Sequence, residues 1–193
     1  ISLNGFFQTE KYFKHIEDEI RKEFTFHEDI LEPCREMVDS LDSAPIFLHV
    51  RRGDPNLVDP RGFKWSYTEC SDQHPPQPLE YYEKALELFP EDVPVVVCSD
   101  SPEWVQEQEI FKPDRFAISI PEDKYDDGSY EPFIDLCLMS LCSGAIIANS
   151  TMSWWGAWLQ GGRGKVVAPK MWFGPAYPNN DTKDLYPEGW TLL

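Results

Sequence analysis

Along the chain, short apolar runs alternate with stretches in which apolar and polar positions follow an amphipathic pattern. The apolar runs are typical of buried strands, and they cover residues 45–50, 93–98, 116–120, 145–148 and 165–168. The amphipathic or helix-like stretches cover residues 79–89, 132–142 and 153–160. Residues 15–42 also predict helix, with a break before Pro33 because the residue before a proline disfavours helical backbone. Residues 53–78 lack periodicity and predict a long surface loop.

This alternation of strands and helices predicts an α/β fold with a Rossmann-like, mostly parallel sheet covered by helices on both faces. Ligands bind such sheets in the crevice beyond the carboxyl ends of the strands. Three polar segments fall at that edge, namely residues 51–54, 99–101 and 149–153. We therefore expect these three segments to converge. Serine or aspartate at 99–101 is also placed to cap a helix that begins near Pro102.

The charge balance narrows the class of partner. The chain has 34 acidic and 17 basic residues, for a net charge of −17. Such a chain is unsuited to nucleic acid, whose phosphates need a basic surface, and equally to an anionic membrane surface. An anionic small ligand requires only that a few basic residues converge. No apolar run approaches the roughly 18 residues that a membrane helix needs.

Five cysteines, an odd number, form no CxxC pair and no zinc-site spacing with histidine. A disulfide framework is therefore not expected, and the cysteine pattern predicts a reducing, cytoplasmic location. The Asn-x-Ser/Thr patterns at Asn149 and Asn180 are interpreted as chance matches in such a chain.

The sequence HVRRGD at 49–54 contains the first candidate for ligand chemistry. Strand alternation puts His49 and Arg51 on one face of the strand end and Arg52 on the other. A guanidinium group offers a planar fork that matches two phosphate oxygens. The alternative is an ion pair between an arginine and Asp54, and the residues alone leave both interpretations open.

The sequence NSTMSWW at 149–155 contains the second candidate. Hydroxyl groups and free backbone N–H groups before a helix form an anion site. The alternative is ordinary capping by Ser150, Thr151 or Ser153. Asp135, in the preceding helix, could accept hydrogen bonds from a guanine edge, although the residues alone favour a first-turn acid that complements the helix dipole.

Other signals predict structure rather than chemistry. The sequence GGRG at 161–164 follows a helix and precedes a strand, so it predicts a helix end and a turn instead of a phosphate loop. The acidic runs at 17–19 and 126–127 lack the histidines or spaced carboxylates of a metal site. His15, His27 and His74 are isolated, and no nucleophile motif appears.

Taken in order, segments of the chain resemble family 11 glycosyltransferases, the α-1,2-fucosyltransferases. The matching segments are GFFQTEKYF at 5–13, FLHVRRGD at 47–54, LEYYEKAL at 79–86, CSDSPEW at 98–104, DLCLMSLCSGAIIANSTMSWWGAWL at 135–159, APKMWFG at 168–174 and LYPEGW at 185–190. The resemblance covers nearly the whole chain, and its Arg-Arg and Trp-rich segments are specific in combination.

The resemblance implies a two-lobed, GT-B-like fold in which residues 1–193 form the C-terminal, GDP-fucose-binding lobe. It makes Arg51 the catalytic contact to the donor β-phosphate and His49 a neighbouring nucleotide contact. It makes Asp135 the contact to the guanine, while Arg52 and Asp54 support the structure. The residues that it implies around the pyrophosphate are Ser150, Thr151, Ser153 and Trp154.

The implied reaction is a metal-independent, inverting transfer of L-fucose to a sugar hydroxyl, with an α-1,2 linkage to galactose. Asp54 and Glu131 are candidates for the general base by their chemistry alone. Family members begin with a GGLGNQ-type segment, which has no match here, so we expect the acceptor-binding lobe to be missing. The alternatives are a non-catalytic module that binds GDP or a glycan, and a transferase that uses another nucleotide sugar. Animal members of the family work in the Golgi lumen, which is the alternative location.

Overall fold

The computed structural model describes residues 9–58, 64–68, 70–120 and 132–193. Its strands are β1 (Ile46–Val50), β2 (Gly53–Val58), β3 (Lys64–Ser66), β4 (Val95–Ser99), β5 (Phe116–Ile118), β6 (Ala145–Ile146), β7 (Val166–Ala168) and β8 (Thr191–Leu192). Its α-helices are α1 (Glu17–Glu23), α2 (Glu28–Asp39), α3 (Leu79–Leu86), α4 (Pro102–Glu107), α5 (Pro132–Leu141) and α6 (Thr151–Leu159). Short 3-10 helices occupy Glu10–Tyr12, Lys14–Ile16 and Glu109–Phe111.

The main sheet has six parallel strands in the order β5-β4-β1-β6-β7-β8. Leu48 of β1 lies opposite Val97 on one side and Ile146 on the other. Because every neighbouring pair is parallel, the carboxyl ends of all six strands meet at one edge. Strand β1 is central, so the residues that follow it can be reached from both halves of that edge.

Helices cover both faces of this sheet. One face packs Phe47, Cys98 and Ile147 against residues of α2, α5 and α6. The other face packs Leu48, Val50 and Val97 against residues of α3. Apolar strands buried on both faces are typical of parallel sheets, and removal of this surface from water stabilises the fold. The predicted Rossmann-like α/β architecture is confirmed.

The five predicted strands are confirmed, with shorter bounds, and so is the turn at 161–164. Gly161 and Gly162 have φ of 70° and 73°, a region that favours glycine. Strand β8 was not predicted, because two residues beside a tryptophan carry no periodicity. The predicted loop over 53–78 was wrong in part, since β2 and β3 pair there as an antiparallel hairpin.

The predicted helix break before Pro33 was also wrong. Helix α2 runs through Pro33, and the chain instead breaks between Phe24 and His27. A proline within a helix removes one hydrogen bond. In α2 the buried face around Cys34 packs with residues of α5, so tertiary packing overrides the local preference.

All five cysteines are free, and four of them are buried. Within the described ranges, every helix is too short or too polar to span a bilayer.

Candidate functional site

Arg51 leaves the sheet at the carboxyl end of β1 and forms an ion pair with Asp100. Its Nη1 lies 2.7 Å from Oδ2 of Asp100, and 27% of the arginine side chain is exposed. Asp100 follows β4, which is the direct neighbour of β1 in the sheet. Parallel pairing therefore brings an arginine and a carboxylate from distant parts of the sequence to one corner.

Asp100 also fixes the backbone that follows Arg51. It accepts hydrogen bonds from the backbone N–H groups of Arg52, at 3.0 Å, and Gly53, at 2.8 Å. Gly53 has φ of 74°, which a glycine adopts without strain. These two hydrogen bonds orient the turn, and with it the guanidinium of Arg51.

The first two predicted polar segments therefore converge. The sequence interpretation paired an arginine with Asp54, but the carboxylate found beside Arg51 is that of Asp100; the side chain of Asp54 lies outside the described residues. Asp100 was missed as a site residue because its segment was interpreted as a helix cap. Helix α4 does begin at Pro102, with Ser101 at the cap position, although no side-chain capping bond forms.

Arg52 turns away from Arg51, as strand alternation predicted. Its guanidinium carbon lies 3.9 Å from the ring centroid of Trp104 in α4. Burial lowers the pKa of Arg52 below its ordinary value. These contacts tie the strand end to α4, and the implied role of Arg52 as structural support stays a prediction.

His49 is fully buried in β1, and neither ring nitrogen has a hydrogen-bond partner among the residues that the structure describes. Burial, followed by the charge of Arg51, lowers the pKa of His49 to about 3, so the imidazole is neutral at physiological pH. The structure places His49 below the site rather than on its surface. Its implied role as a direct nucleotide contact stays a prediction.

Asp135 lies in the first turn of α5, on the β4 and β5 side of Arg51. Its Oδ1 accepts a hydrogen bond of 2.7 Å from the hydroxyl of Ser119, which follows β5. Burial raises the pKa of Asp135 to about 6, while hydrogen bonds from Ser119 and from the Cys98 thiol act in the opposite direction. A buried carboxyl that titrates near neutrality at a sheet edge is a candidate for ligand recognition.

The start of α6 supplies little exposed chemistry. Ser150 occupies the cap position without a side-chain capping bond, and Thr151 is exposed. Ser153 is fully buried, and its hydroxyl donates to the backbone carbonyls of Ala148 and Ser150. Ile146 of β6 lies opposite Leu48 of β1. Asn149 follows Ile146 by as many residues as Arg51 follows Leu48, so this third segment lies at the same edge of the sheet as Arg51.

Trp154 is a core residue, 4% exposed. Its indole N–H donates to the carbonyl of Leu185 at 2.8 Å, and its ring contacts those of Trp155 and Trp190. These contacts give the side chain a packing role, so any contact with a donor pyrophosphate stays a prediction.

Four aromatic side chains form a cluster beside Arg51, which we call the aromatic cluster: Tyr67, His74, Phe173 and Tyr177. The ring of His74 lies 5.5 Å from that of Tyr67 and 5.7 Å from each of the other two. The interpretation of His74 as isolated was therefore wrong. Sequence alone gave no signal, because the cluster joins the segment after β3 to the segment after β7.

Asn149 holds these two segments together. Its side-chain amide donates to the carbonyls of Pro75, at 3.0 Å, and Trp172, at 3.1 Å. Gln77 bridges Asn149 and the carbonyl of Met171. Since Asn149 is buried and doubly bonded, a glycan there is incompatible with this fold, in line with the chance-match interpretation.

Among the described residues, no group of three or more His, Cys, Asp or Glu side chains is arranged to hold a metal ion. The two candidates for the general base cannot be positioned, since Glu131 and the side chain of Asp54 lie outside that part of the chain.

The parallel sheet defines a Rossmann-like α/β protein, and the polar groups beyond β1, β4 and β6 form its candidate ligand site. The sequence model of glycosyl transferase family 11 matches residues 2–193. The chain therefore belongs to glycosyltransferase family 11.

Curated relatives agree with this membership. The O-antigen biosynthesis glycosyltransferase WbnK of Escherichia coli is 32% identical over 99% of this chain and 60% of its own length. The alpha-1,2-colitosyltransferase of Escherichia coli is 30% identical over 100% of this chain and 62% of its own length. The human galactoside alpha-(1,2)-fucosyltransferase 1 is 27% identical over 84% of this chain and 44% of its own length. The chain thus spans less than two thirds of each of these relatives.

Proposed function

We propose that this chain is the donor-binding part of a glycosyltransferase that moves L-fucose from GDP-fucose to a sugar hydroxyl, in an α-1,2 linkage to galactose. The observation that carries this proposal is Arg51, held by Asp100 at the carboxyl end of the central strand and still partly exposed. Membership of the family and the name of one relative, a galactoside alpha-(1,2)-fucosyltransferase, support fucose as the transferred sugar and an α-1,2 linkage to galactose.

In this proposal, Arg51 binds the β-phosphate of the donor. As the bond between the anomeric carbon and the phosphate oxygen breaks, negative charge builds on the departing GDP. A preorganised guanidinium and the backbone N–H groups at the start of α6 stabilise that charge without a metal ion. The acceptor oxygen attacks the opposite face of the anomeric carbon, which inverts its configuration, and its proton passes to a base.

Asp135 recognises the guanine in the same arrangement. An ionised carboxylate accepts two hydrogen bonds, which suits the N–H groups on the guanine edge. Its position beside Ser119 and Cys98 puts it on the β4 and β5 side of Arg51. The nucleotide then runs from the end of β5 towards the end of β1.

A specific observation favours a second candidate, in which the donor carries a sugar other than fucose. One relative, 30% identical over the whole of this chain, is named an alpha-1,2-colitosyltransferase. The phosphate and guanine contacts proposed here would serve such a donor equally well.

Titration calorimetry of the 193-residue chain with GDP, GDP-fucose and UDP tests the proposal. We expect GDP and GDP-fucose to bind, and UDP to bind at least about tenfold more weakly because it lacks the guanine edge. A folded chain that binds none of the three would contradict the donor-binding role. Tighter binding of UDP would assign the site to another donor class.

A further inference from the structure

A groove of about 370 Å³ lies at the edge of the sheet opposite Arg51. Parts of its wall are the turn at 161–164, which leads into β7, and the segment 187–190, which leads into β8. Because β7 and β8 run parallel to β1, these turns mark the amino edge of the sheet. We call this space the amino-edge groove. Its lining also includes residues of the N-terminal helices and of the end of α6, among them Glu10, Lys14, Arg21 and Trp158.

The two cations of the N-terminal helices in this groove are already paired. Lys14 donates to Oε1 of Glu10 at 2.7 Å, and the indole N–H of Trp158 donates to Oε2 at 3.1 Å. Arg21 donates from Nε and Nη2 to Oε1 of Glu17, at 2.9 and 2.7 Å. Among its described lining residues, the groove therefore offers an anion no unpaired cation, which favours an uncharged ligand.

Glu188 keeps its carboxylate available. It is exposed in the turn before β8, and neither a hydrogen bond nor an ion pair engages it within the described ranges. The hydrogen bond to Glu10 is the largest cause that raises the pKa of Lys14, and the charge of Glu188 adds to it, so the two side chains lie near each other. A carboxylate beside an ammonium group supplies an acceptor and a donor together, which suits neighbouring hydroxyl groups.

Bare backbone forms another part of the wall. Gly162 and Gly189 have φ of 73° and 91°, a region in which a side chain would be strained. A side-chain carbon at either position would meet no atom within 4 Å. The glycines therefore present their peptide groups to open space, where a ligand can reach them.

Gln160, which also lines the groove, holds an unsatisfied acceptor. It is 3% exposed, and its Nε2 donates to the carbonyls of Met139, at 2.9 Å, and Gly144, at 3.1 Å. Because both partners are carbonyls, the orientation of the amide is fixed. Its Oε1 is then buried without a partner among the residues that the structure describes. A hydroxyl donor at the floor of the groove would satisfy this oxygen.

Two indole rings give the groove an apolar surface. The guanidinium carbon of Arg21 lies 3.8 Å from the ring centroid of Trp158, so that ring is covered. Trp190 is half-buried, and its ring contacts with Trp154 and Tyr186 are tilted by 48° and 45°. Since neither ring stacks flat on Trp190, part of its surface remains open to a ligand.

We propose that the amino-edge groove is a second glycan site, which binds a neutral hexose unit away from the corner at Arg51. Hydroxyl groups both donate and accept hydrogen bonds, so they match the Glu188 carboxylate, the Lys14 ammonium group and the open peptide groups. The apolar face of the sugar packs on Trp190. A glycan chain held at this second point keeps its acceptor end at a higher effective concentration near the enzyme. Only the choice of a galactose-containing glycan rests on the proposed function, in which galactose is the acceptor.

An NMR titration of the 193-residue chain with lactose, a galactose-containing disaccharide, tests this site. We expect the backbone amides of Gly162 and Gly189 and the indole N–H of Trp190 to shift and to saturate at lactose concentrations on the order of millimolar. GDP and inorganic phosphate, titrated separately, should leave these signals unchanged. Phosphate that shifts them while lactose does not would make the groove an anion site and overturn the proposal.

Glu188→Gln tests the carboxylate, because it keeps the size of the side chain and removes its charge. It should weaken lactose binding about threefold to tenfold and leave GDP binding unchanged. The matched control is Glu91→Gln, an exposed carboxylate in the turn before β4 at the same edge, which should change neither affinity. Wild-type lactose affinity in Glu188→Gln would contradict the site.

The signal of Gly53, beside Arg51, separates this proposal from the proposed function. If GDP shifts Gly53 while lactose moves no signal in the groove, or moves only signals at the carboxyl edge, the second glycan site is wrong and the proposed function stands. If lactose moves the groove signals while GDP binds nowhere, the glycan site stands and the proposed function fails.

Discussion

Arg51, at the corner that it forms with Asp100, and the start of α6 were both predicted as donor contacts, yet the structure builds them differently. At the corner, two charged side chains from neighbouring strands meet and stay partly exposed. At the start of α6, Ser153 and Trp154 are buried and bonded to backbone carbonyls. The same resemblance therefore covers a charged, accessible group in one place and core packing in the other.

This difference indicates what each segment can contribute to binding. An arginine side chain that is 27% exposed can meet an anion at little cost, because it is already oriented and only partly dehydrated. A buried indole acts on a ligand only by holding the helix start in place. We infer that α6 contributes its backbone N–H groups and the side chains of Ser150 and Thr151, while Trp154 supports them.

The largest effect is expected at Trp154. Trp154→Ala should lower the free energy of unfolding by about 3–5 kcal/mol, because it leaves a cavity and removes the donor to the Leu185 carbonyl. Trp154→Phe keeps most of the volume and should cost about half as much or less. Urea unfolding monitored by circular dichroism measures both. A Trp154→Ala variant that is as stable as the wild type but has lost nucleotide binding would mean that Trp154 acts in binding and not in packing.

Arg51→Ala should act on binding instead of folding. We expect GDP affinity to fall about 100-fold, since hydrogen bonds to charged groups contribute about 1.5–3 kcal/mol each. Its loss of stability should stay within about 1 kcal/mol, the usual value of a partly exposed ion pair. Calorimetry with GDP and urea unfolding give the two numbers.

Arg52→Ala is the matched control for that experiment, because it removes the neighbouring guanidinium. It loses the contact with Trp104 and should destabilise the fold by about 1–2 kcal/mol while GDP affinity changes less than about threefold. Equal losses of GDP binding in the two variants would mean that Arg51 is not the specific contact to the phosphate.

The sequence predicted the buried strands of this fold better than it predicted the partners of individual side chains. Apolar runs predicted the strands of the sheet centre, because their residues, such as Val95 and Val97, are buried on both faces. Alternation also separated Arg51 from Arg52. It could not find Asp100 as the partner of Arg51, or the contact of His74 with Phe173, because those pairs depend on which strands become neighbours. Nor could it tell that Trp154 faces the core.

Asp135 shares one property with each of the two regions, since it is buried like Trp154 and ionisable like Arg51. Its pKa is raised from 3.8 to about 6 in the fold. The folded state therefore binds more protons than the unfolded state between these values, so stability falls as pH rises from about 4 to 6. Asp135→Asn should remove that slope and be more stable at pH 7 by roughly 2 kcal/mol.

GDP binding should show the opposite pH dependence. The ionised carboxylate accepts the guanine N–H groups, so affinity should rise as pH increases through about 6. Titrations with GDP between pH 5 and 7.5 measure it, and Asp135→Asn should bind weakly at every pH. A wild-type affinity that stays constant over this range would mean that Asp135 does not contact the guanine.

The smallest expected effect comes from Ser150, whose hydroxyl could serve either the structure of the helix start or the binding of the pyrophosphate. Its hydroxyl makes no capping bond, so Ser150→Ala should change the free energy of unfolding by less than about 0.5 kcal/mol. If the hydroxyl contacts the pyrophosphate, the same change should weaken GDP binding about threefold to tenfold.

Ser153→Ala is the control, since its buried hydroxyl is bonded to the backbone: it should cost about 1 kcal/mol of stability and leave the affinity of the folded chain unchanged. Loss of stability in Ser150→Ala with unchanged binding would make the start of α6 a purely structural element, and the phosphate site would then depend on Arg51 and the backbone alone.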